Sequence, residues 1–208
     1  MKKLLLLALL CAACQKDTAV SLTKKARELQ GKKDYPAAEQ LLHDALLANP
    51  NYMEARLVLG RNFEEQKNLD QAEIEYREVL KRQPKHVHAH LYVGNILRKK
   101  GNYPEAIAIV REATQLAPGD QHLKQIFGNL LFEAGDIDGA REAMEQAVKI
   151  DPSDHLLHTD LAKIYEKKGD NAHAIREYKE IVTLLEGLPK RAEESRLAAE
   201  KIRQLQGF

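Results

Sequence analysis

Residues 87–120 read VHAHLYVGNILRKKGNYPEAIAIVREATQLAPGD, and the rest of the chain repeats their plan. Pro118 near the end of this stretch has counterparts at Pro50, Pro84 and Pro152, each 34 residues from the next. Registered on those prolines, the chain divides into 19–52, 53–86, 87–120, 121–154 and 155–188. Position 20 is alanine throughout, at Ala38, Ala72, Ala106, Ala140 and Ala174. Position 8 is always small: Ala26, Gly60, Gly94, Gly128 and Ala162. Positions 11 (Leu29, Phe63, Leu97, Leu131, Tyr165) and 24 (Leu42, Tyr76, Val110, Met144, Tyr178) are always large and apolar. A fixed period of this length marks a stacked array of supersecondary units.

Physical chemistry explains the columns. Small residues at positions 8 and 20 let two antiparallel helices of one unit approach closely, and the large ones fill the space between that pair and the next helix. Gly101, Gly135 and Gly169 at position 15 suit the left-handed residue that ends a helix, although Lys33 and Lys67 stand there in the first two units. Asp34, Asn68, Asn102, Asp136 and Asp170 at position 16 are turn residues that also cap the following helix. Pro36 and Pro104 fall in the first turn of that second helix, where a missing N–H costs nothing. Past Gly187-Leu188-Pro189, one more helix places Ala192, Ser195, Ala198, Ala199, Ile202 and Leu205 on one face, as a cap over the last apolar edge.

Composition agrees with an all-α fold. Charged residues make up 30% and aromatics 5%, with no Trp, 11 Gly and 7 Pro in 208 residues. The formal net charge of +1 argues against a nucleic-acid partner, which calls for a basic excess. No nucleophile–base pair, phosphate-binding Gly loop or HExxH run occurs, so no catalysis, cofactor or small-molecule substrate is expected.

The stretches Ala55–Gly60, Gly101–Ala106 and Lys149–Pro152 resemble the signature of the tetratricopeptide repeat (TPR) family over 19–188. The resemblance implies a right-handed superhelical α-solenoid of five helix-turn-helix units with a C-terminal capping helix over 189–208. The chain departs from the family at position 4, where Arg56, His90, Lys124 and His158 replace a bulky aromatic. Such proteins bind through a concave groove lined by helix A, the first helix of each unit. The groove residues expected here are Arg27, Leu57, Arg61, Leu91, Asn95, Arg98, Gln125, Asn129, Phe132 and Lys163. Asn pairs with both groups of an extended backbone and Arg or Lys with carboxylates, so a protein or peptide segment is the expected occupant. Position 6 (Lys24, Val58, Tyr92, Ile126, Asp160) lacks the Asn of a two-carboxylate clamp. His86, His88 and His90 alternate at a unit junction and read as surface and packing residues rather than metal ligands.

The chain starts MKKLLLLALLCAAC. A basic start, a short Leu run and small residues make 1–13 a targeting segment, too short to span a bilayer. Its end resembles a bacterial lipoprotein lipobox with Cys14 as the acylated residue, 14–18 as tether, and Cys11 where an aliphatic residue is usual. Gln15 in place of Asp implies the outer membrane, facing the periplasm, with a soluble periplasmic protein as the alternative. By this resemblance the protein is a membrane-tethered adaptor of the pilotin kind, serving secretin assembly. The alternatives are an outer-membrane assembly factor, a cell-wall hydrolase adaptor, a soluble chaperone or, less favoured, a His-based metal carrier.

Overall fold

The computed structural model describes residues 18–207. The signal segment, Cys14 and most of the expected tether lie outside the described residues. All regular elements among the described residues are helical: α1 (18–31), α2 (Tyr35–Ala48), α3 (Met53–Glu65), α4 (Leu69–Arg82), α5 (Val87–Lys99), α6 (Tyr103–Leu116), α7 (Gln121–Glu133), α8 (Ile137–Ile150), α9 (His155–Lys168), α10 (Asn171–Leu184) and α11 (Ala192–Gln206), the last preceded by a 3-10 turn over Pro189–Arg191. None of them is long and apolar enough to cross a membrane.

Helices α3, α5, α7 and α9 begin 34 residues apart, as do α2, α4, α6, α8 and α10. Each helix from α2 to α8 with an even number ends two residues before one of the periodic prolines, which cannot continue it. Helix A turns into helix B through a left-handed residue: Gly101, Gly135 and Gly169 at φ 78°, 87° and 79°, but also Lys33 and Lys67 at 62° and 61°. The turn therefore keeps its geometry where the sequence lacks glycine, at a cost in backbone strain. Asp34, Asn68, Asp136 and Asp170 accept from the backbone N–H three residues on, as cap residues do. Asn102 differs: its amide donates to Glu105 Oε2 at 2.8 Å and caps nothing.

The period alone predicts one uninterrupted array, but the chain groups into two compact units, one up to Gly101 and one from Asn102 onward. The boundary falls in the turn within the third 34-residue stretch. Helices in a repeat array contact mainly their chain neighbours, so the period does not fix how many pairs cluster together. In the first unit, α2 packs on α3, α3 on α4 and α4 on α5. Its buried residues include Ala38, Leu42, Leu59, Ala72, Tyr76, Val79, Val93 and Ile96. Buried Asn62 ties α1, α2 and α3 together, accepting from Gln30 Nε2 at 3.1 Å and donating to the Tyr35 carbonyl at 3.0 Å.

The second unit runs α6 on α7, α7 on α8, α8 on α9, α9 on α10 and α10 on α11. One cluster packs Leu131, Met144, Leu157, Leu161, Ile164 and Tyr165 around Ala140 and Ala174. A second joins Ala162, Tyr178, Ile181 and Leu185 to Ala198 of α11. Of the apolar face expected on α11, Ala198 is fully buried, Ser195, Ala199, Ile202 and Leu205 are half-buried, and Ala192 is exposed.

Two unlike solutions replace the family's aromatic at position 4. In α3, Arg56 Nη1 meets Glu75 Oε2 of α4 at 3.0 Å; in α9, His158 Nδ1 meets Glu177 Oε2 of α10 at 2.8 Å. Each substitutes a hydrogen-bonded polar pair inside the helix hairpin for an aromatic plug.

Candidate functional site

The expected site residues sit on helix A of the repeats in both units. In the first, Arg27 on α1 reaches across to Glu54 on α3 in a short ion pair. Arg61 Nη2 donates to the Tyr92 hydroxyl at 3.4 Å, and Arg98 Nη2 to Asn95 Oδ1 at 3.1 Å. Leu57 and Leu91 are half-buried. Leu57 packs beside Met53, Val79 and Ala89 and so belongs partly to the core.

Glu64 organises the neighbouring surface. It accepts from the Tyr76 hydroxyl at 2.8 Å and from Lys99 Nζ at 2.6 Å. Burial and the Glu64 carboxylate beside it push the Tyr76 phenol far above its ordinary range.

In the second unit three expected residues converge on one carboxylate the sequence reading passed over. Asp160 on α9 accepts from Gln125 Nε2 at 3.0 Å and Asn129 Nδ2 at 3.4 Å on one oxygen, and from Lys163 Nζ at 3.4 Å on the other. The amides that the sequence offers to a ligand backbone are thus pre-oriented by Asp160. Phe132 is half-buried and packs against the Leu131–Tyr165 cluster.

The arrangement around Glu64 recurs. Glu166 on α9 accepts from the Tyr178 hydroxyl in a short bond and from Lys201 Nζ of α11 at 3.0 Å. Burial pushes the Glu166 carboxyl up, but these two donors outweigh it and hold it below the usual carboxylate range. Lys201 lies 35 residues after Glu166, as Lys99 lies 35 after Glu64. The last helix therefore takes the place a sixth helix A would occupy.

That register puts Leu197 at position 9, the column that elsewhere holds Arg61, Asn95, Asn129 and Lys163. Leu197 and Leu156 are each 50% exposed. They line a pocket of about 470 Å³ between α9 and α11, with Tyr178, Ile181 and Ala198 among its other walls. Its volume is that of a small ligand pocket or side-chain anchor, ~300–1,000 Å³. At its edge His155 Nε2 meets Glu194 Oε2 at 3.0 Å, and Arg191 followed by His155 holds the Glu194 carboxyl below its ordinary range. The signal for this pocket was present in the sequence only if the 34-residue register is carried past Leu188.

The histidines at the start of α5 have separate structural tasks. His86 caps α5, its Nδ1 accepting from Ala89 N at 3.1 Å, and burial pushes the ring toward its neutral form. His90 is buried, and His88 is exposed. No group of three or more His, Cys, Asp or Glu among the described residues is placed to hold a metal ion.

Paired antiparallel helices repeated at a fixed period, with polar and apolar side chains presented in columns on helix A, define a helical-repeat protein. Tetratricopeptide repeat family models match 29–85, 75–121 and 157–184, and a TPR repeat model matches 128–169. The chain belongs to the tetratricopeptide repeat family. Among the curated proteins no significant sequence match is found. Solved structures share the fold at low identity. MamA (residues 41 to end) from Desulfovibrio magneticus RS-1 is 21% identical, covering 83% of this chain and 98% of its own, with a TM-score of 0.73. Pseudomonas aeruginosa pilF is 16% identical, covering 92% and 93%, with a TM-score of 0.69. YrrB, described as a TPR protein with an unusual peptide-binding site, is 17% identical, covering 88% and 92%, with a TM-score of 0.67.

Proposed function

We propose that the protein is a non-catalytic scaffold that holds an extended or helical segment of another protein against its helix-A faces. The observation that carries this reading is the open apolar pocket between Leu156 and Leu197, on the same helix α9 as the Asp160 cluster of amides. Binding hot spots combine a desolvated anchor pocket with surrounding polar contacts, and both parts are available on this one helix. The peptide-binding site attributed to YrrB, a protein of similar fold, supports the same use of the surface.

The tether is the second part of the proposal. Acylated Cys14 fixes the protein to the outer membrane on its periplasmic side, where it assists assembly of an envelope complex of the pilus-secretin kind. This reading rests on the lipobox-like Ala12-Ala13-Cys14, with the likeness to Pseudomonas aeruginosa pilF beside it. A single acyl chain gives only marginal membrane binding, so firm anchoring calls for more than one chain on Cys14.

Two experiments test the two parts separately. A photo-crosslinker placed at Leu197 or Asn129 should capture a partner in cells, while one at Leu47, 80% exposed on helix α2, should not. Capture from Leu47 but from neither of the other positions would defeat the binding face. Metabolic labelling with a fatty acid should mark the wild-type protein and not Cys14→Ala. An unlabelled wild type would leave a soluble periplasmic scaffold in place of a tethered one.

A further inference from the structure

We infer that His158 and Glu177 form a proton-dependent latch that holds α9 to α10, because the buried imidazole stands between two hydrogen-bond acceptors. Nδ1 lies 2.8 Å from Glu177 Oε2 and Nε2 lies 3.0 Å from the Pro152 carbonyl. His158 is 5% exposed and Glu177 4%. A neutral imidazole has one N–H and one lone pair. Either tautomer would leave a lone pair facing an oxygen in a site with little water, at the full desolvation cost of an unmet group. Only the imidazolium donates to both partners.

The remaining groups favour that state. Arg176 Nε donates to the other Glu177 oxygen at 3.2 Å, so Glu177 accepts on both oxygens, the pattern of a carboxylate. Glu180, also on α10, adds negative charge. In the turn leading into α9, Asp151 is engaged by Ser153, and Asp154 caps Leu156 N and accepts from Gln121. On the α8 side the charged neighbours of α9 are Glu145 and Arg141, gathered at Tyr165, and Asp138, paired with Lys168, all farther along the helix. On the α11 side they are Glu194, held by His155, and Lys201, paired with Glu166 farther along the helix. The Glu177 hydrogen bond raises the His158 pKa above the usual 6.5; burial opposes the rise, and the Pro152 carbonyl reinforces it.

The sign follows from linkage. A group protonated more tightly in the folded state gives its full stabilisation below the unfolded value and loses it as pH rises through the folded one. The latch therefore gives its full stabilisation just below 6.5 and weakens as pH rises through the raised value. Loss of the proton leaves one of the two bonds unmade and removes the imidazolium charge that faces Glu177. Opening frees the first turns of α9, which also carry Leu156 and Asp160.

The test reads the ring directly in the full chain. Nitrogen-15 spectra of the histidine side chains, recorded from about pH 5 to about pH 9, should show His158 keeping both ring nitrogens protonated to a pH above 6.5. In Glu177→Gln that extra proton should be lost near the ordinary value. Between 6.5 and the raised value, protection of the α9 first-turn amides against hydrogen exchange should fall as pH rises in the wild type, by up to about tenfold per pH unit. In Glu177→Gln it should stay level over that window. A wild-type His158 that loses its second ring proton at or below 6.5, or α9 protection independent of pH in the wild type, overturns the inference. The ring spectrum of the wild type decides the matter even where the variant fails to fold.

Discussion

Gly60→Ala should destabilise the first unit even though alanine stands at the same position in two other repeats. A Cβ at Gly60 would lie 2.4 Å from Tyr76 Cε1 and 2.8 Å from Cδ1 and Cζ. The ring cannot swing away: Tyr76 is 1% exposed, its hydroxyl is held by Glu64, and Tyr92 lies against it with centroids 4.9 Å apart. Overpacking of a fixed core costs about 1–3 kcal/mol. Replacing glycine by alanine in a helix interior returns about 0.8–1 kcal/mol. With the new Cβ under 3 Å from a fixed ring, the upper part of the overpacking range applies, about 2–3 kcal/mol, and the expected net loss is about 1–2 kcal/mol.

Gly128→Ala is the internal control. Its Cβ would meet Met144 Cε at 3.2 Å and the Ala140 carbonyl at 3.3 Å, and a flexible thioether yields where a clamped phenol does not. The net change there should lie within about 0.5 kcal/mol, since the helix gain offsets the adjustment. The Ala162–Tyr178 pair shows that alanine and tyrosine coexist when the following helix offers Glu194 at the place of Tyr92. Adding Tyr92→Ala should accordingly shrink the cost of Gly60→Ala by about 1 kcal/mol in a double-mutant cycle. Repeat arrays unfold in parts, so hydrogen exchange at the α3 and α4 amides is the proper measure, with urea melts alongside. If Gly60→Ala is as stable as the wild type, the clamped-ring explanation is wrong.

Two further outcomes follow from the geometry. Lys67→Gly and Lys33→Gly relieve left-handed backbone at φ 61° and 62° and should each stabilise by about 0.5 kcal/mol in urea melts, the relief exceeding the added chain entropy; a loss of stability would contradict the strain. Asp160→Ala removes the acceptor shared by Gln125, Asn129 and Lys163 and should cost about 1 kcal/mol. The Asn129 side-chain amide signals should also broaden or shift in Asp160→Ala; unchanged signals would mean that Asp160 does not hold the cluster.

Much of the fold was legible because each unit repeats the same local choices. The small columns at positions 8 and 20 mark close-approach sites, and every alanine at position 20 is fully buried. The turn at position 15 kept its left-handed residue even where lysine stands. The candidate site was legible as positions and not as contacts. Column 9 named Asn129 and Lys163, but the carboxylate joining them sits on α9, 31 residues from Asn129 and on a column judged only for what it lacked.

The sequence by itself thus determined the period, the helix pairs, their turns and the faces they bury. Those properties depend on residues near in the chain or one repeat apart, and a periodic pattern records them directly. Tertiary structure decided which polar groups meet. The Asp160 cluster, the pocket opened between Leu156 and Leu197, and the imidazole caught between Glu177 and the Pro152 carbonyl each depend on groups brought together from separate elements, the polar ones at hydrogen-bond distance. It also decided that the helices gather into two units parted after Gly101. Hydrogen-bond energies fall away over fractions of an ångström, whereas a repeat fixes only which column a residue occupies. The distances between columns are set by the packing of side chains that differ from one repeat to the next.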